Sequence, residues 1–166
     1  MSENTMTIPT LTIRTAVDAD LDRICTLSQQ INQQHYLSAP QVFVKDVDPN
    51  LEKLFWKARM DLSDNIHLIA EMNEVVLGYI TASISIAMKN PFLRVNKICR
   101  VGTIVVDQDH HQNGIGKALM EAACQWGKHN GATEVRLEVF DFNINAMQFY
   151  DSMGFGIQSH ILHKTL

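Results

Sequence analysis

The sequence predicts an α/β protein, a three-layer α/β/α sandwich in which helices cover both faces of a central mixed, mostly antiparallel sheet. Segments of alternating apolar and polar residues, typical of strands, take turns with segments whose apolar residues recur at helical spacing. A predicted hairpin precedes a strand–helix–strand crossover, so the strands must run in both directions. The 166 residues, 46% of them hydrophobic, are enough for one compact domain with a sizeable core.

We expect a single domain over residues 10–166, preceded by a short tail at residues 1–9. The tail has neither the basic start nor the apolar run of a signal peptide. The longest apolar stretch, residues 75–88, is too short and too often interrupted by hydroxyl groups to cross a membrane. A net charge of −4 argues against a nucleic-acid partner. The sequence therefore predicts a cytoplasmic protein that binds neither nucleic acid nor membrane.

The first half of the chain predicts one strand and two helices. Residues 10–17 are rich in β-branched side chains, and Asp18 is a candidate cap for a helix that ends before Pro40. A second helix starts with Asp48 as cap and Pro49 in its first turn. Its expected buried stripe consists of Leu51, Leu54, Phe55, Ala58 and Leu62.

The second half predicts a hairpin, a crossover and a short final helix. Residues 66–71 and 75–88 form the hairpin, and residues 94–107 form a strand in which Gly102 marks a bulge or a close backbone approach. The later segments are a helix to about residue 129 that Gly131 ends, a strand at 133–139, a helix at 143–154 and an extended segment at 156–166.

The stretch "HHQNGIGKALM" at residues 110–120 lies between a strand and a helix. Gly114 and Gly116 remove side chains that would keep a ligand from the backbone, and free N–H groups at a helix start attract anions. The spacing fits neither a P-loop nor a dinucleotide-binding loop, since Ala118 and Leu119 occupy positions that those motifs define. From the residues alone, a phosphate site and a purely structural loop both remain open.

Two motifs resemble the GNAT superfamily of acetyl-CoA-dependent N-acetyltransferases. Residues 111–116, "HQNGIG", resemble its acyl-CoA-binding motif, written [QR]-x-x-G-x-[GA], and residues 143–155, "NINAMQFYDSMGF", match N-x-x-A-x-x-F-Y-x-x-x-G-F. The order of elements over residues 10–166 is also similar to the family's fold. His111 departs from the first motif, which has Gln or Arg at that position.

The resemblance implies acetyl-CoA as acyl donor and an amine as acceptor. Strand backbone would pair with the pantetheine arm, loop groups would hold the pyrophosphate, Asn143 would contact the cofactor and Tyr150 would be the general acid. The implied strand and loop residues are Ile104, Val105, Val106, His111, Gln112, Asn113, Gly114, Ile115, Gly116 and Lys117. A tyrosine suits the acid role because its pKa near 10 lets it protonate a departing thiolate.

The general base is not evident from the sequence. Glu71 and a water molecule relayed by the backbone are both candidates, and a covalent route through Cys99 is disfavoured because the family mostly transfers directly. By resemblance, His35 and Tyr36 lie in the loop that commonly lines the acceptor pocket. No metal is expected, because adjacent histidines such as His110 and His111 seldom bind one ion together.

Two functions therefore compete. The first is an N-acetyltransferase that works by direct attack in a ternary complex, acting on a small amine, an amino acid, an antibiotic or a protein N-terminus. The second is a non-catalytic acyl-CoA-binding sensor or regulatory module with the same fold. Many members of the family dimerise, so a homodimer is an expectation of the resemblance alone.

Overall fold

A computed structural model of the protein describes residues 10–86 and 91–166. Its five strands are β1 (Thr12–Thr15), β2 (Asn65–Met72), β3 (Val75–Ile86), β4 (Lys97–Val106) and β5 (Glu134–Arg136). Its four α-helices are α1 (Leu21–Ser38), α2 (Pro49–Met60), α3 (Ile115–His129) and α4 (Ile144–Ser152). The predicted tail at 1–9, and the last two residues of the predicted strand 75–88, lie outside the described residues.

The strands form one sheet in the order β1-β2-β3-β4-β5. The first three neighbouring pairs are antiparallel, and β4 and β5 are parallel. Asn73 and Glu74, both with positive φ, form the tight turn between β2 and β3, as a two-residue hairpin loop requires. The predicted mixed, mostly antiparallel sheet is confirmed.

Helices cover both faces of the sheet, which confirms the predicted layers. On one face, α1 and α2 pack against a buried group that includes Ile24, Leu27, Trp56, Ile69 and Tyr79. On the other face, α3 packs against Leu68, Ile80, Cys99 and Val101, with α4 side chains such as Phe149 beside them. Gly127 lets α3 approach β4 closely, since a Cβ there would lie 2.6 Å from the Cβ of Cys99.

The predicted irregularity at Gly102 is a bulge. The register between β3 and β4 changes from Thr81 opposite Thr103 to Ala82 opposite Val101, which leaves Gly102 as the extra residue. The hydroxyl oxygen of Thr81 accepts a hydrogen bond from the N–H of Thr103 at 3.0 Å. The bulge therefore has a side-chain partner that fixes its shape.

Three local predictions are wrong. Asp18 does not cap a helix, because a 3₁₀ turn at Asp18–Asp20 precedes α1 and Asp20 accepts the N–H of Val17 instead. The expected stripe of α2 is exposed, and the helix buries Glu52 and Trp56. The extended segment 156–166 is not part of the sheet and is exposed along its length.

The caps of α2 and α3 follow the sequence more closely. The side chain of Asp48 accepts hydrogen bonds from the N–H groups of Asn50 and Leu51, with Pro49 at the first helical position. Gly131, with a φ of +82°, ends α3. No helix in the described residues is long and apolar enough to cross a membrane.

Candidate active site

The N-terminus of α3 has the backbone of an anion site. Gln112 and Gly114 both have positive φ, +65° and +75°, and Gly114 is the N-cap residue of the helix. Among the described residues, no side chain caps this helix, and its first turn has no acidic residue. Because the first N–H groups of a helix also have no partner within the helix, they can bind an anionic ligand. We call residues 112–117 the α3 cradle.

The two glycines of the cradle differ in whether the fold could accept another residue in their place. Gly114 has a left-handed φ that disfavours other side chains, and no atom lies within 4 Å of a Cβ built on it. A Cβ on Gly116 would lie 3.6 Å from Phe149 and from Val106, which is ordinary van der Waals contact. The fold therefore has room for a methyl group at residue 116, which agrees with the motif that this stretch resembles, since that motif has Gly or Ala at this position.

His111 connects the loop to the strand that precedes it. Its Nε2 donates a hydrogen bond to the carbonyl oxygen of Val106 over 2.9 Å, while the ring itself is exposed. Because the carbonyl oxygen only accepts, Nε2 carries the proton in this contact. The residue that departs from the motif thus still orders the loop.

The peptide groups at the C-terminal end of β4 point alternately toward β3 and toward the opposite edge of the strand. The N–H of Asp107 donates to the carbonyl oxygen of Leu77 at 2.8 Å, which makes this a hydrogen-bonded position of the β3–β4 ladder. In an antiparallel ladder such positions alternate. The peptide groups of Val105 consequently face β3, whereas those of Ile104 and Val106 face the opposite side.

On that opposite side, β5 pairs with only the first part of β4. The parallel register joins Ile98 to Glu134 and ends with Arg100 opposite Arg136. Beyond this point the two strands have no register, so β5 does not pair with the edge of β4 at Ile104 and Val106, where the carbonyl oxygen of Val106 accepts from His111 instead. An extended chain can hydrogen-bond to the remaining peptide groups of this edge as an added strand would.

Tyr150 lies on α4, on the same face of the sheet as α3. It packs beside Phe149 and Phe155, with ring centroids 5.4 Å and 5.8 Å away. Burial raises the pKa of its hydroxyl above the ordinary value, because the charged phenolate is poorly solvated there. The side chain is therefore a neutral phenol over the whole physiological range.

The other predicted site residues lie in the cradle itself and at the start of α4. Asn143 is the N-cap of α4, where its side chain accepts the N–H of Ala146 at 3.2 Å. Ile115 is buried in the core beneath α3, while Gln112 and Asn113 are exposed. Lys117 is exposed, with its Nζ 3.8 Å from Glu121.

The candidate base and nucleophile are both held by structural contacts. Glu71 lies on β2, separated from β4 by β3, and accepts two hydrogen bonds from Arg14, at 3.0 and 2.6 Å. Cys99 is fully buried against α3, and burial raises the pKa of its thiol to about 11. The described residues contain no group of three His, Cys, Asp or Glu side chains that could hold a metal ion.

The prediction that His35 and Tyr36 lie in the loop between the first two helices is wrong, because α1 runs to Ser38 and includes both residues. His35 belongs to an aromatic cluster that the sequence did not indicate. Its ring lies 4.7 Å from Phe43, 5.8 Å from Phe140 and 5.6 Å from Phe142. The cluster connects the loop after α1 to the loop before α4. Burial lowers the pKa of His35, so the ring is neutral at pH 7.

Comparison with known proteins agrees with this geometry. The sequence profile described as "Acetyltransferase (GNAT) family" matches residues 30–155, which is most of the chain. The chain belongs to the GNAT acetyltransferase family. Among curated GNAT relatives, N-acetyltransferase 8 of Homo sapiens is 33% identical over 87 residues, which are 52% of this chain and 37% of that protein. The match thus spans little more than a third of that relative.

Solved structures show that the protein has the GNAT fold. A mutant of the BH1408 protein from Bacillus halodurans has a TM-score of 0.88 at 24% identity, over 93% of this chain and 99% of that one. The aminoglycoside N-acetyltransferase AAC(6')-Iy, solved in complex with CoA, has a TM-score of 0.79 at 17% identity and covers 98% of both chains. At these identities the likeness concerns the fold alone.

Proposed function

We propose that this GNAT protein transfers an acetyl group from acetyl-CoA to a primary amine by direct attack in a ternary complex. The observation that supports this most is the adjacency of the α3 cradle and the unpaired edge of β4. Pyrophosphate would bind the N–H groups of residues 112–117, and the pantetheine arm would pair with Ile104 and Val106. Val105 lies between these two residues, and its peptide groups face β3. It would therefore support the site indirectly, by holding β4 in the sheet.

The chemistry of the donor set suits an acyl-CoA. The cradle provides backbone N–H groups, the positive end of a helix dipole and the nearby charge of Lys117, which together attract phosphate oxygens. A solved neighbour of the same fold was crystallised with CoA. When bound, acetyl-CoA supplies the thioester carbonyl that an amine attacks.

The amine must lose a proton before it can attack. A lysine-like amine has a pKa near 10.4, so deprotonation at pH 7 costs about 4.6 kcal/mol. Glu71 is engaged by Arg14 on a remote strand, which favours a water molecule relayed by backbone groups as the base. Holding both reactants in place would lower much of the remaining barrier.

Tyr150 would return a proton to the thiolate that leaves. The raised pKa of Tyr150 keeps its phenol protonated at pH 7, so that it can donate this proton to the sulfur as the C–S bond breaks. Asn143 would act indirectly, as a positioning residue. Its side chain caps the start of α4, the helix that carries Tyr150.

Release of CoA thiol, measured across a panel of primary amines, tests the proposal. Amine-dependent release together with an acetylated product supports the transferase. Binding of acetyl-CoA without turnover of any amine would instead support the non-catalytic module, which needs the cradle but not the phenol.

A further inference from the structure

A small polar cavity lies on the α1/α2 face of the sheet, next to the bulge in β4. It has a volume of about 50 Å³, and its walls include Arg59, His67, Thr81, Ser83, Arg100 and Gly102. A single water needs about 10–15 Å³ of such space, so this cavity admits a few waters or one small polar group. It is too small for a whole substrate.

The cavity is positively charged although the protein is acidic. Neither arginine of the wall forms an ion pair within residues 10–86 and 91–166, and no acidic side chain lines the cavity. Arg59 stacks over the ring of Phe55 at 4.2 Å, which holds its guanidinium without using its N–H donors. Arginine is suited to planar oxyanions because its donors form a rigid fork.

A buried histidine also lines the cavity. His67 is 4% exposed, and its Nδ1 forms a hydrogen bond with the hydroxyl of Tyr79. Within the described residues its Nε2 meets no partner at normal hydrogen-bond geometry, and the backbone of Arg59 lies close enough to interact with the ring. The histidine therefore forms a neutral part of the wall, and the two arginines carry the positive charge of the cavity.

We propose that this cavity binds the carboxylate of the amine acceptor, held by Arg59 and Arg100. Thr81 and Ser83 provide hydroxyl groups at the same wall. The inference rests on the proposed function and narrows the acceptor to amines that carry a carboxylate a few bonds away.

The position of the cavity sets the distance between carboxylate and amine. Gly102 belongs both to the cavity wall and to the bulge, and Ile104 is two residues further along β4. At 3.3–3.4 Å per residue, these positions are about 7 Å apart. A carboxylate in the cavity would therefore place a nearby amine beside the strand that is proposed to hold the pantetheine arm.

Binding of amino acids to the CoA complex tests the inference without requiring turnover. The ligands are free α-, β- and γ-amino acids, each compared with its own amide, and calorimetry gives the dissociation constants. We expect at least one acid to bind tenfold or more tightly than its amide. Arg100→Gln should reduce that preference to about one, whereas Lys128→Gln, which removes an exposed charge from α3 on the opposite face, should preserve it.

Three results would overturn the inference: equal binding of acids and amides, no binding of any acid, or an unchanged preference in Arg100→Gln. Competition experiments against the bound amino acid show whether the cavity prefers a carboxylate or a phosphate. Displacement by acetate supports a carboxylate site, and displacement by inorganic phosphate but not by acetate contradicts it. Thiol release with the amides tests transfer itself, so a failure of the cavity and a failure of the proposed function are distinguishable.

Discussion

His111 donates a hydrogen bond from Nε2 to the carbonyl oxygen of Val106 over 2.9 Å. This contact joins the first residue of the glycine loop to the last residue of β4. The loop and the unpaired edge of β4 are therefore held in a fixed relation, and both are proposed to bind the same CoA molecule. His111, the residue that departs from the family motif, therefore still has a structural role.

Replacing His111 tests whether this contact organises the cradle. His111→Ala removes a hydrogen bond worth about 0.5–1.5 kcal/mol, so the dissociation constant for CoA should rise about threefold to tenfold. His111→Gln restores a side-chain donor and should bind CoA nearly as the wild type does. Calorimetry on the two variants decides, and equal affinity of His111→Ala and wild type would remove His111 from the site.

Gly114→Val tests the cradle, with Gly116→Ala as the matched control. Gly114 is the glycine that the family motif requires, and a β-branched side chain disfavours its φ of +75°, so Gly114→Val should change the loop backbone and bind CoA at least tenfold more weakly. Gly116→Ala should bind CoA as the wild type does, because the motif allows alanine there and the new Cβ meets Phe149 and Val106 only at 3.6 Å. Calorimetry measures both, and undiminished affinity in Gly114→Val would contradict the cradle.

Tyr150→Phe tests the general acid. Proton transfer by a positioned group contributes about 10²–10⁴ in rate, so kcat should fall by 100-fold or more while CoA affinity stays within twofold. Burial raises the pKa of the phenol above its ordinary value of 10, so any loss of wild-type kcat from Tyr150 ionisation should have its midpoint above pH 10. If kcat is unchanged when chemistry limits turnover, the acid is another group.

Acid should destabilise the protein through His67. Burial lowers the pKa of this histidine below its ordinary 6.5, so the unfolded chain binds a proton that the folded chain does not. Stability is therefore full above pH 6.5 and declines below it, by up to about 1.4 kcal/mol per pH unit. Denaturant unfolding from pH 7 to 5 should be less pH-dependent in His67→Gln. His160→Gln, in the exposed C-terminal segment, should retain the wild-type slope.

Local sequence signals predicted the fold because each one fixed a backbone feature. The hairpin, the bulge at Gly102 and the glycine that ends α3 all appear where the pattern placed them. The prediction of the buried face of α2 was wrong. Apolar spacing indicates that a segment is helical, but it does not show which face of the helix packs against the rest of the protein. Trp56 lies 5.5 Å from Tyr79 by ring centroid, and this contact sets the orientation of the helix.

The charged parts of the site could not be predicted from spacing. Glu71 is 57 positions from Arg14 in sequence, yet the β1–β2 pairing places them within hydrogen-bond distance. Likewise, Arg59, His67 and Arg100 come from three separate elements and share a cavity only because of the sheet order. No local sequence pattern indicates that residues so far apart in the chain share a site. The cradle, in contrast, consists of consecutive residues, so a sequence motif can predict it.

The most direct test is an acetyl-transfer assay on the wild-type protein and Gly114→Val, with acetyl-CoA and a panel of primary amines. The wild type should release CoA thiol in step with acetylated amine, and Gly114→Val should do so only at much higher acetyl-CoA concentration. Amine-dependent release with the same KM for acetyl-CoA in both proteins would contradict the cradle, and no acetylated product from any amine would contradict the transferase.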